Sequence, residues 1–220
     1  MIKALLTAVK VCALTLLASS AFASGGGSSS NECDANVKPI VFVHGYSGGN
    51  FNWIDIMNYL EADGHPRCSL YGFEYSSWFS SNAQSGRELA TFVADVRSKH
   101  NNQKVTIISH SNGGLVTRWF RVMEGGASAN DKFIALAAPH NGTSIAYACF
   151  NSSCFDMRPG SAFLNTLAGR GCDISLWSAY DGVILPASSA ICGNSQQLAN
   201  ENHLSMLWAP SVYQDIKNNL

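Results

Sequence analysis

Two short segments raise the question of a reactive serine. The run Val105–Gly114, VTIISHSNGG, carries an apolar stretch into a serine followed by small residues. A serine hydroxyl is a weak nucleophile. It attacks an acyl carbonyl only with a base in reach, a third group orienting that base, and donors for the oxyanion. One known setting is a tight strand-to-helix turn spelled G-x-S-x-G. Around Ser111 the pentapeptide is S-H-S-N-G, with Ser109 in place of the first glycine. The segment Gly45–Gly49, GYSGG, matches every letter and centres on Ser47.

Context ranks Ser111 above Ser47. A strand pattern precedes Ser111 and a helical one follows, and Gly113 and Gly114 permit close backbone approach. The start of that helix also favours negative charge. Ser47 follows the first strand pattern, KPIVFVHG, with no strand–helix unit before it. A five-letter match in a glycine-rich segment arises readily by chance. The HGYSGG loop fits better as the source of an oxyanion donor, the Tyr46 backbone N–H. The Asn112 N–H, directly after the serine, would supply the second donor.

Where the serine stands on such a strand-to-helix turn, the acid and then the base follow it in the chain, which leaves His140 and His203. His140, in APHNG, comes too soon after the elbow helix to leave room for an acid between them. His203, in NENHLSML, follows several acids and is the expected base. Asp156, Asp173 and Asp181 are the candidate acids. Asp181, in AYDGVILP, lies just past an apolar strand pattern, on the edge where parallel strands end and sites form. Asp173 begins that strand and Asp156 lies in a cysteine loop, so Asp181 is the expected partner.

The elements that must position these groups alternate. KPIVFVHG, SLYGFEY, KVTIISHS and KFIALAAPHNG read as strands, and DISLWSAYDGVILP as a fifth with its turn. Three are almost continuously apolar, as parallel strands covered on both faces are. Between them, Leu89, Phe92, Val93 and Val96 form a helical stripe, with Ser85 and Glu88 as an S-x-x-E capping box. Leu115, Trp119, Val122 and Met123 form another, and Trp53, Ile56, Met57 and Leu60 a looser third. A short helix is expected over Ser161–Leu167, and a last one aligns Val212, Ile216 and Leu220. The expected fold class is α/β: a mostly parallel sheet with helices on both faces and a minimal cap.

With these segments in order, the chain resembles secreted bacterial lipases and esterases of the α/β-hydrolase fold. The resemblance rests on VFVHGYSG, SHSNGG, APHNGT, MRPGSAFLNTL, SAYDGVILP and NHLSML, which together cover most of Lys38–Leu207. It implies Ser111 as nucleophile, Asp181 as orienting acid and His203 as base, with Tyr46 and Asn112 at the oxyanion hole. It implies no metal and no cofactor for the chemical step. Some relatives carry alanine where Ser109 stands, so a small non-glycine residue has a parallel there.

Residues 1–23 read as a signal peptide, with Lys3 near the start, an apolar run and the small-x-small end Ala21-Phe22-Ala23. The apolar run after Lys10 is short for a membrane span. Residues 24–32, serine- and glycine-rich, read as a flexible leader, and 33–220 as one catalytic domain. Cleavage near Ala23 would deliver the protein outside the cell or to a periplasm. Without Lys3 and Lys10 the 14 basic residues fall to 12, against 15 acidic, a net charge of −3. No basic block appears, so nucleic acid is not an expected partner. The expected partner is a lipid or other acyl-ester substrate, with transient contact at a lipid interface and no obligate protein partner.

Of the seven cysteines, Cys12 goes with the signal. The other six suit disulfides in an exported chain. Spacing alone allows fifteen pairings. Sequential pairing is the expectation: Cys33–Cys68, Cys149–Cys154 and Cys172–Cys192. A metal site is not expected, since no C-x-x-C pair or cysteine–histidine cluster stands in the sequence. A polyester (polyhydroxyalkanoate) depolymerase would use the same three residues. A binding domain that lost catalysis is disfavoured by their retention in order. The pattern NGT at Asn141 and NSS at Asn151 are glycosylation acceptors only in a glycosylating host.

Overall fold

The structure, a computed structural model, describes residues 33–220. The expected signal peptide, leader and Cys12 lie outside the described residues. Among the described residues no helix is long and apolar enough to cross a membrane.

Six strands form one parallel sheet: β1 (Ile40–Val43), β2 (Leu70–Phe73), β3 (Val105–His110), β4 (Asn130–Leu136), β5 (Ile174–Trp177) and β6 (Asn194–Gln197). Their order is β2-β1-β3-β4-β5-β6. The chain thus starts near the middle, steps to one edge, then crosses back through β3. Both β1 and β3 are buried along their whole length, and their C-terminal ends lie side by side, with Val43 opposite Ser109.

Strand side chains alternate between faces. Ile40 and Phe42 join one core, with Trp53 just before α1 (Ile54–Ala62), Ile56 and Leu60 within it, and Val212 and Ile216 of α6 (Pro210–Asn218). Val41 and Val43 join the opposite core, with Leu89, Val93 and Val96 of α2 (Asn82–Ser98) and Val116 and Phe120 of α3 (Asn112–Met123). Two covered faces explain why the strands lack an apolar–polar alternation.

Three local expectations shift. Helix α2 starts earlier than its S-x-x-E signature: Ser81 is the N-cap, accepting the Gln84 N–H at 3.1 Å, and Ser85 is buried inside the helix. On α3 the residues facing the sheet are Val116 and Phe120. The stripe of Leu115, Trp119 and Val122 instead lies under a third cluster with Met157, Phe163 and Leu167, and Met123 is exposed. An elbow helix covered on two sides offers two apolar faces, and periodicity alone does not say which meets the sheet. Strand β6 carried no apolar signal because all four of its residues are exposed at the sheet edge.

The segment after β4 contributes α4 (Ser152–Met157) and α5 (Ala162–Thr166), the latter capped by Ser161. The disulfides follow the sequential pairing: Cys33–Cys68, Cys149–Cys154 and Cys172–Cys192. The last staples the entrances of β5 and β6, where Asn194 N–H donates to the Asp173 carbonyl at 2.8 Å.

Candidate active site

Ser111 sits between β3 and α3 with φ 52° and ψ −128°. That is a sparsely populated region for a residue with a side chain, worth about 1–3 kcal/mol of strain. The turn is pinned on both sides. Ser111 N–H donates to the Leu136 carbonyl at 2.8 Å, and the Ser111 carbonyl accepts from Gly114 N–H at 3.0 Å. The small residues around it are sterically required. A Cβ on Gly113 would lie 2.4 Å from the Val43 and His44 carbonyl oxygens, and one on Gly114 would lie 2.3 Å from the Ala138 Cβ.

The Ser109 side chain, where the pattern has glycine, is fully buried, and its Oγ stands at ordinary contact distance, 3.5 Å, from where a Gly114 Cβ would be. The obstacle to a side chain at 114 is the Ala138 methyl, not Ser109. The Ser109 hydroxyl makes no hydrogen bond within the protein.

His203 meets Ser111. Its Nε2 lies 2.9 Å from Ser111 Oγ, and its Nδ1 lies 2.9 Å from Asp181 Oδ2. The histidine is carried on a turn in which the Asn202 side chain accepts the N–H groups of Leu204 and Ser205 at 3.0 and 2.9 Å. Asp181 stands in the loop after β5. Its other oxygen accepts from Val183 and Ile184 N–H at 2.9 and 2.7 Å. Burial pushes this carboxyl up, but the His203 hydrogen bond and charge and the two amides outweigh it, so its pKa falls below the usual value. The aspartate stays ionised, and an Nδ1–H facing it leaves Nε2 free to take the serine proton.

The Gly45–Gly49 loop packs directly on this turn. A Cβ on Gly45 would come 2.9 Å from Ser111 Cβ. Among the described residues, neither the Tyr46 nor the Asn112 backbone N–H is used in a turn, loop or cap hydrogen bond. Two unspent donors beside a hydroxyl are what a developing oxyanion needs.

Residues with no signal in the sequence join these parts. Tyr75, just past β2, donates its phenol to the His44 carbonyl at 2.8 Å, stacks on the His44 ring at 4.3 Å and faces the Asn112 side-chain amide at 3.4 Å. It ties the loop after β1 to the first turn of α3, and burial pushes its phenol pKa up. His110 Nε2 lies 2.8 Å from the His203 carbonyl. Burial, then the neighbouring His203, hold its pKa down at about 3, so it is a neutral donor.

The other candidates fall elsewhere. Ser47 is exposed with φ 58°, and its N–H donates to Ser77 Oγ at 2.9 Å. Among the described residues no histidine hydrogen-bonds its hydroxyl. Asp156 accepts the Asn82 N–H at 2.9 Å at the start of α2, and Asp173 accepts the Phe133 N–H at 3.1 Å at the start of β5. His140 is buried against the Cys172–Cys192 disulfide, the three possible ligand atoms lying within 4.8 Å of one another. This cysteine–histidine cluster was not expected from the sequence, since its members are far apart along the chain. Both sulfurs are bonded to each other, so neither is a thiolate that could hold a metal.

The fold has counterparts. The mature-form lipase BlEst2 of Bacillus licheniformis superposes with a TM-score of 0.70 at 15% identity, over 86% of this chain and 94% of that one. Lipase B of Aspergillus fumigatus gives 0.67 at 18%, over 80% of this chain and 50% of that longer one. The methylesterase MES16 of Arabidopsis gives 0.55 at 15%, over 83% and 98%. At such identities the likeness is one of fold, the α/β-hydrolase fold. The sequence model described as Lipase (class 2) matches residues 37–214, from before β1 to within α6 and across every residue of the site. With most of its length matched in this way, the chain belongs to the class 2 lipase family and is a carboxylic-ester hydrolase.

Proposed function

We propose that the protein is an exported lipase or esterase working through Ser111, His203 and Asp181. The observation that carries this is the unbroken path from Ser111 Oγ through the His203 ring to the Asp181 carboxylate, with 2.9 Å at each step. Ser111 Oγ attacks the ester carbonyl as His203 Nε2 takes its proton. The carbonyl oxygen becomes an oxyanion held by the Tyr46 and Asn112 N–H groups, each worth about 10²–10³ in rate. His203 then returns the proton to the departing alcohol, leaving an acyl group on Ser111. Water, deprotonated by the same nitrogen, attacks the acyl-enzyme and releases the acid and the free serine. Asp181 holds the required tautomer and balances the imidazolium. Three disulfides in the described residues are compatible with an oxidising compartment and so with export.

The test is labelling with a fluorophosphonate probe, followed by peptide mapping, alongside Ser111→Ala and Ser47→Ala. The label should land on Ser111 and disappear only in the first variant, with esterase activity following it. Activity that survives Ser111→Ala but vanishes in Ser47→Ala would overturn the assignment. A panel of p-nitrophenyl esters, triglyceride emulsion and polyester film identifies the substrate. Film clearing with negligible glyceride activity would replace lipid by polymer.

A further inference from the structure

Two cavities open on Ser111, one on each side of Tyr46, and they differ in chemistry. The first, about 270 Å³, holds His203 together with Ser47, Phe51, Asn52 and Leu204. The second, about 220 Å³, is bounded almost wholly by apolar groups, among them Ile145, Ala146, Cys149, Met157, Val183 and Ile184. His203 lines only the first. The histidine that protonates the leaving alcohol must face it, so the alcohol leaves through the first cavity and the acyl chain occupies the second. A cavity of this size and apolar lining suits a short to medium-length acyl chain.

The outer wall of that cavity is a small built device. Cys149 and Cys154 close a turn of the chain, their Cα atoms 5.8 Å apart. Within it, Asn151 uses both ends of its amide. Its Oδ1 caps α4 by accepting the Cys154 N–H at 3.1 Å, which leaves Nδ2 to donate to the Tyr46 phenol oxygen at 2.6 Å. Arg158 braces the turn from outside, donating to the Ala146 and Cys149 carbonyls at 3.2 and 3.0 Å. Its guanidinium lies over Phe155 at 4.5 Å and Tyr147 at 5.0 Å. Tyr46 is thus held from two sides, its backbone in the oxyanion loop and its ring by the disulfide turn.

We infer that the Cys149–Cys154 turn, latched to Tyr46 by Asn151, is the element that limits acyl-chain length. The inference rests on the reading of Ser111 as the acylated residue. With the latch closed, short to medium-length chains lie inside the cavity, and longer ones meet the wall that Cys149 and Tyr46 contribute. Releasing the latch lets that wall swing outward and admits longer chains.

The experiment compares kcat/KM for p-nitrophenyl dodecanoate with that for the butyrate, each variant serving as its own reference. Asn151→Ser keeps a side chain that caps α4 but is too short to reach Tyr46. A Cys149→Ala/Cys154→Ala double variant opens the turn. Both should raise the dodecanoate-to-butyrate ratio about fivefold or more, since a single methylene accepted or refused by such a pocket changes kcat/KM about 10–200-fold. Ala148→Trp, at an exposed position lining the cavity, should lower the octanoate-to-butyrate ratio about tenfold. Ratios unchanged in all three variants, with Ser111 still labelled by fluorophosphonate, would overturn the inference. Absence of the label on Ser111 in the unaltered protein would instead overturn the reading beneath it.

Discussion

Asp181 and His203 are joined twice. The carboxylate meets the ring Nδ1 at 2.9 Å, and the Asp181 backbone carbonyl accepts the His203 N–H at 2.9 Å. The second bond is independent of the side chain, so the loop carrying His203 stays docked when the carboxylate is altered. Asp181→Asn should therefore leave the melting temperature nearly unchanged while kcat on a p-nitrophenyl ester drops about 10³–10⁴-fold. The amide favours the wrong imidazole tautomer. A large fall in melting temperature, or a loss of activity below tenfold, would show that Asp181 acts otherwise.

The Ser109 hydroxyl is buried without a hydrogen bond inside the protein. Ser109→Ala removes an unsatisfied polar group and keeps the Cβ. It should raise unfolding stability by about 1 kcal/mol with kcat/KM within twofold. Urea unfolding followed by tryptophan fluorescence measures this, and a destabilised variant would mean that the hydroxyl has a partner.

Gly45 and Gly113 are where close approach leaves no room for a side chain. Gly45→Ala places a methyl 2.9 Å from Ser111 Cβ and pushes the oxyanion loop off the serine turn. A displacement of this size near the reacting atoms costs about 10²-fold in kcat. At Gly113 the obstacle is backbone, with two carbonyl oxygens at 2.4 Å, so Gly113→Ala should reduce the yield of folded protein as well. Purified yield and active-site titration distinguish the two effects.

Arg118 is 2% exposed and faces carbonyl oxygens. Its guanidinium donates to His140 at 2.9 Å, to Arg170 at 3.0 and 2.8 Å, and also to Leu167. It holds the segment after β4 down on α3. Lysine keeps the charge but lacks the planar fork. Arg118→Lys should lower stability by about 2–4 kcal/mol, with at least two carbonyls left unpaired. Thermal unfolding should show the loss, whereas a melting temperature within a degree of the parent would remove Arg118 from this role.

Acid should unfold the protein for a specific reason. Burial holds the pKa of His110 and His140 at about 3, against 6.5 when exposed. Between those values the unfolded chain binds a proton that the folded chain refuses. Stability therefore falls with pH by about 1.4 kcal/mol per unit for each histidine. Asp181 acts in the same direction. Its lowered pKa stabilises the fold above the ordinary carboxylate range, and that contribution disappears as pH falls through the folded value. The urea midpoint should drop steadily from pH 6.5 to 4, and His140→Phe should flatten the slope by about one proton. An unchanged slope in that variant would show that His140 is not buried neutral.

Much of this protein is legible in its sequence because strand and helix patterns are local. Continuous apolar runs at β1, β3 and β4 imply a sheet covered on both faces, and the switch to a helical period at Asn112 marks the turn at Ser111. Chain order separates His203 from His140, and a place at the C-terminal end of a strand pattern separates Asp181 from Asp156 and Asp173. Strand β6 escaped because backbone pairing makes it a strand, and its exposed side chains carry no trace of that.

The tertiary structure decided what depends on distance between residues remote in sequence. Ser111 and His203 are 92 residues apart and meet at 2.9 Å only because β3 and the loop beyond β6 end on the same side of one sheet. The same holds for Tyr46 and Asn151, 105 residues apart, and for Tyr75 between the two oxyanion donors. Glycine is required at 114 because the Ala138 methyl occupies the space a side chain would need, and that strand–helix contact is set by packing. Side-chain periodicity reports which face is buried. It does not report which atoms meet there, since that follows from sheet order, register and the close approach of backbones.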